Sequence, residues 1–68
     1  MDILVNGERR EVAGPLNIAA LLASLQIDPR VVVVEHNRRI VKRPELATTL
    51  VQAHDQLEIV RIVGGGCG

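Results

Sequence analysis

Ile3-Leu4-Val5-Asn6-Gly7-Glu8-Arg9-Arg10-Glu11-Val12 reads as a strand, a two-residue turn and a second strand. Asn-Gly between two extended runs is the strongest short-range hairpin signal, because the turn that matches strand twist needs positive φ at both central residues. Successive side chains alternate across a strand, which puts Ile3 and Val5 on one face and Asp2 and Leu4 on the other. Ala13-Gly14-Pro15 then breaks the second strand.

Beyond the hairpin, Asn17 is a good N-cap for the segment that follows. Ile18, Leu21, Leu22 and Leu25 stand at i, i+3, i+4 and i+7, one face of an amphipathic helix. Ala19, Ala20 and Ala23 favour helix locally, and Ile27-Asp28-Pro29 ends it, since a proline disfavours helical geometry at the residue before it. Val31 to Val34 is a β-branched run, as expected of a strand covered on both faces. Asn37-Arg38 turns into a short strand at Arg39 to Val41, which Pro44 stops. Glu45 to Thr49 reads as one helical turn and His54-Asp55 as another chain reversal. Leu57 to Val63 is the last strand, with Val60 and Ile62 pointing opposite to Leu57 and Ile59. Such a strand is buried on both faces, or offers Val60 and Ile62 to a partner, or does both at different ends.

The order strand-strand-helix-strand-strand-strand gives a two-layer α+β domain, because one helix covers only one face of a sheet. With 68 residues there is room for one domain and little for an enclosed cavity beside its core, so function is expected on a surface or a terminus. The chain has no Phe, Tyr or Trp, so its core is aliphatic and it lacks stacking platforms for single-stranded nucleic acid. Eight basic and eight acidic residues cancel, leaving no general attraction to nucleic acid or anionic lipid. A single cysteine builds no disulfide framework, the start Met1-Asp2-Ile3 is not that of a signal peptide, and no apolar run is long enough to span a bilayer. The expected location is the cytoplasm, with neither nucleic acid nor membrane as a partner.

Gly64-Gly65-Gly66-Cys67-Gly68 follows directly on the last strand. Three glycines add no side-chain packing, and ordering them costs more entropy than ordering other residues. On its own this is either a frayed end or a functional tail. Residues 1–63 are read as the domain and residues 64–68 as a flexible glycine-rich tail.

Taken together, Val5-Asn6-Gly7-Glu8, Ile18-Ala19-Ala20-Leu21-Leu22, Val34-Glu35-His36-Asn37, Ile40-Val41-Lys42-Arg43, Asp55-Gln56-Leu57-Glu58-Ile59-Val60 and the terminal Val63-Gly64-Gly65-Gly66 resemble the ThiS family of sulfur carriers. The resemblance covers nearly the whole chain. It implies a β-grasp (ubiquitin-like) fold, a mixed sheet of four to five strands packed on one helix. It also implies a protein co-substrate rather than an enzyme, with no catalytic residue, metal or bound cofactor of its own. A ThiF-type partner uses ATP to adenylate the C-terminal glycine carboxylate. A sulfur donor such as a cysteine desulfurase then displaces AMP to leave a thiocarboxylate. A ThiG-type thiazole synthase takes up that sulfur to make the thiazole of thiamine. On this resemblance Gly64 and Gly65 thread the adenylation site, where side chains would obstruct; the alternation of the last strand, not the resemblance, offers Val60 and Ile62 as the partner surface.

Two residues depart from the family's usual Gly-Gly or Gly-Gly-Gly ending. Either a peptidase removes Cys67-Gly68 and leaves Gly66 as the active end, or Gly68 is the active end with a thiol beside it, or the two residues are incidental. Arg38 and His54 stand in turns where the family often has glycine. Processed carriers for cysteine, siderophore-type or molybdopterin synthesis are the related alternatives, and a ubiquitin-like interaction module is the alternative from another class. His36 and His54 are read as ordinary surface residues, and the basic pairs Arg9-Arg10, Arg38-Arg39 and Lys42-Arg43 as solvated positions.

Overall fold

The computed structural model describes residues 1–62. The first hairpin forms as the Asn-Gly signal requires. Strands β1 (Asp2–Val5) and β2 (Glu8–Glu11) pair antiparallel with Val5 opposite Glu8, and Asn6 (φ 52°) and Gly7 (φ 80°) make the turn. Ile3 and Val5 are buried while Asp2 and Leu4 are only half-covered, so the alternation places the core face as expected.

Helix α1 (Ile18–Ser24) starts where Asn17 caps it: the Asn17 Oδ1 accepts the Ala20 N–H at 2.7 Å. Two more first-turn donors, which no helix can satisfy internally, reach a distant loop. The Ile18 N–H donates to the Thr49 carbonyl and the Ala19 N–H to the Leu46 carbonyl, each at 3.0 Å. The helix stops at Ser24, short of the Ile27-Asp28-Pro29 end expected from the proline. Gln26 takes a left-handed backbone (φ 60°), and the Ile27 N–H returns to the Leu22 carbonyl while the Gln26 N–H returns to the Ala23 carbonyl. That is a Schellman stop, built here without glycine. Pro29–Val31 then forms a 3₁₀ turn capped by Asp28.

Strands β4 (Val32–His36) and β5 (Arg39–Val41) form a second hairpin through Asn37 (φ 51°) and Arg38 (φ 72°). Only Val34 of the valine run is fully buried, and Val31 and Val33 are exposed. The expectation of cover on both faces is thus corrected: one helix shields one face, and the other is open. The helical turn read at Glu45–Thr49 begins earlier, as a 3₁₀ turn at Arg43–Glu45. Strand β7 (Gln56–Arg61) ends two residues before the expected Val63, which lies outside the described residues, as does the boundary drawn at residues 63 and 64.

The main sheet has the order β2-β1-β7-β4-β5, mixed because β1 and β7 run parallel at its centre. A second, two-stranded sheet joins β3 (Leu16–Asn17) to β6 (Leu50–Val51); strands of two residues carry too little pattern to be read from sequence. Ile3, Val5, Ile18, Leu21, Leu22, Val34, Leu46, Val51, Leu57 and Ile59 form the core between sheet and helix. Full burial of a side chain such as Leu21 contributes roughly 1.5–3 kcal/mol, which is large for a domain of this size.

Candidate functional site

Strand β7 is the element that positions the C-terminal end of the domain, and side chains from two turns hold it. At the hairpin turn, the Asn6 N–H donates to the Leu57 carbonyl at 2.8 Å. The Asn6 amide then continues the pairing where β1 has ended: its Nδ2 donates to the Ile59 carbonyl at 3.1 Å and its Oδ1 accepts the Ile59 N–H at 2.7 Å. A side-chain amide thereby stands in for one more residue of strand. Beyond it, the Ile62 N–H donates to the Val31 carbonyl at 2.7 Å, extending the ladder with β4.

At the other end of β7, Asp55 collects three partners. Its carboxylate lies 2.6 Å from His36 Nε2, accepts the Gln52 N–H at 2.8 Å, and accepts from Asn37 Nδ2 at 3.2 Å. Burial raises its pKa, yet the hydrogen bonds from His36, the Gln52 N–H and Asn37 together outweigh that and hold it below the usual carboxylate range. His36 is therefore not the ordinary surface residue expected from sequence: its side chain is mostly buried and paired. Arg38 and His54 (φ 70°) both occupy left-handed turn positions, the geometry for which glycine is the usual choice.

On the face of the sheet away from the helix, Val60 and Ile62 are 55% and 52% exposed. Val60 stands opposite Val33, itself 36% exposed, and Ile40 on the edge strand is 66% exposed. The alternatives left open for the last strand resolve in favour of the exposed one. These side chains form an exposed apolar patch on the open face of the sheet. Among the described residues no three His, Cys, Asp or Glu side chains gather to hold a metal ion, and no helix is long and apolar enough to cross a membrane. Gly64, Gly65, Gly66, Cys67 and Gly68 lie outside the described residues.

A mixed five-stranded sheet gripping one helix, with an exposed apolar patch near the end of its central strand, defines a β-grasp domain of the ubiquitin-like type. Residues 3–66 match the ThiS family, and the chain belongs to it. The crystal structure of the thiamine biosynthesis protein ThiS from Geobacter metallireducens superposes with a TM-score of 0.86 at 33% identity, covering 97% of this chain and all of that one. The sulfur carrier protein ThiS of Bacillus subtilis is 39% identical over 49 residues, 72% of this chain and 74% of that protein. A thiazole synthase of Paramagnetospirillum magneticum is 41% identical over 66 residues, 97% of this chain. This chain spans 20% of that enzyme's length.

Proposed function

We propose that this chain carries sulfur for thiamine thiazole synthesis as a thiocarboxylate on its C-terminal glycine. The observation that carries the reading is one of placement. The anchored central strand β7 leads through the exposed Val60 and Ile62 into Gly64-Gly65-Gly66, and the family match ends at Gly66. The glycine carboxylate attacks the α-phosphorus of ATP in the site of a ThiF-type enzyme and releases pyrophosphate. The persulfide of a sulfur donor such as a cysteine desulfurase then attacks the acyl carbon, AMP leaves as the C–S bond forms, and a thiol reductant cleaves the resulting acyl disulfide to free the thiocarboxylate. A carboxylate is a poor electrophile, so the mixed anhydride supplies the leaving group that the sulfur step needs.

In this reading the domain itself binds no cofactor and supplies no acid or base. Its task is to present the tail and to be recognised, in turn, by the adenylating enzyme and by a ThiG-type thiazole synthase. The likeness to proteins named thiazole synthase supports the second of these partners. Gly66 is the active end, freed when a peptidase removes Cys67-Gly68; Gly64 and Gly65 thread the narrow adenylation site. The test is complementation of a thiamine auxotroph that lacks its own carrier. A chain ending at Gly66 should restore growth without the peptidase, and replacing Gly66 by Ala should abolish rescue. Equal rescue by the Gly66→Ala chain would overturn the assignment.

A further inference from the structure

The exposed face of the sheet carries a feature that stability alone does not explain. Glu35 on β4 and Glu58 on β7 are direct cross-strand partners and share that face with Val33 and Val60, the next pair along the ladder. Ile40 on β5 flanks Glu35 on its other side. Directly opposed side chains on a sheet have Cβ atoms about 4.5–5.5 Å apart, and like charges there are destabilising. Neither carboxylate forms an ion pair among the described residues. The ion pairs among the described residues are Asp2–Arg9 and Asp28–Arg30, Asp55 is taken up by His36, and residues 63–68 contain no Lys, Arg or His.

We infer that Glu35 and Glu58 form a receptor for one cationic side chain, preferably arginine, on the docking face of the adenylating enzyme. The inference rests on the carrier reading and deepens it by naming what recognises the domain. Covering Val33, Val60 and Ile40 with a partner also strips water from the two carboxylates between them. Removing charge from water without a counter-charge costs more than such apolar contact returns. A guanidinium fork reaches two carboxylates at once, satisfies both and converts their mutual repulsion into selectivity. A second copy of the chain is a poor occupant, because face-to-face packing brings four carboxylates together. Nucleic acid is excluded on the same ground.

The test titrates the adenylating enzyme calorimetrically with wild-type carrier, Glu35→Gln, Glu58→Gln and the double variant, at about 50 and about 300 mM salt. At low salt the double variant should bind about tenfold or more weakly. Wild-type affinity should fall with salt while that of the double variant stays nearly flat. Its melting temperature should be unchanged or higher, which separates a lost contact from a lost fold. Val60→Ser should weaken binding and keep the salt dependence. Wild-type affinity in the double variant, or an effect seen only with the thiazole synthase, overturns the inference. If sulfur loads normally while binding ignores both glutamates, the docking inference fails and the carrier reading stands. If binding depends on both but no sulfur is loaded, the reverse holds.

Discussion

Asn6→Gly isolates the clamp that fixes β7. Glycine keeps the left-handed turn (φ 52°) without strain and removes only the amide. Two hydrogen bonds go with it, one from Nδ2 to the Ile59 carbonyl and one from the Ile59 N–H to Oδ1. Each is worth about 1 kcal/mol net, and the Ile59 groups left behind are partly buried, which adds to the loss. The expected destabilisation is about 1.5–3 kcal/mol, against a total of roughly 3–10 kcal/mol for a chain of this length. For a domain this small that lowers the melting temperature by roughly 8–20 °C. Asn6→Ala should lose about a further 0.5–1 kcal/mol, because it also places a Cβ in the left-handed region. The chain has no Phe, Tyr or Trp, so urea unfolding is followed by far-UV circular dichroism rather than fluorescence. An Asn6→Gly variant within about 0.5 kcal/mol of wild type would refute the clamp.

Three further outcomes follow from the same geometry. Asp55 has a depressed folded pKa, so its stabilisation is fully present above the unfolded value of about 4 and is lost as pH falls through the folded one. Urea midpoints measured downward from pH 5 should fall more steeply for wild type than for Asp55→Asn. Arg38→Gly relieves a left-handed turn residue (φ 72°) and should raise stability by about 0.5–1 kcal/mol, read as a higher urea midpoint. Asn17→Ala removes the helix cap held at 2.7 Å and should cost about 1 kcal/mol by the same assay.

How much of this was legible in the sequence depended on whether the signal was local. Asn6-Gly7, Asn37-Arg38 and the Asn17 cap act on their own neighbours, and each stands where the pattern put it. The helix end was misplaced because Gln26 adopts a conformation that composition associates with glycine. The small sheet of Leu16–Asn17 with Leu50–Val51 is long-range, and nothing local announces it. His36 with Asp55, and Asn6 with Ile59, join residues 19 and 53 positions apart, distances at which a single sequence gives no warning. Val60 and Ile62 were legible as a choice between burial and exposure, and the lone helix decided it. Glu58 alone reads as a strand-face residue rather than a general acid, and only the register places Glu35 opposite it.

Intact mass spectrometry bears most directly on the central claim. Incubated with the adenylating enzyme, ATP and a sulfur source, the chain ending at Gly66 should exchange one oxygen for sulfur, and fragmentation should place that sulfur on the last residue. A C-terminus that stays a carboxylate while the enzyme loads another carrier in the same mixture would contradict the account.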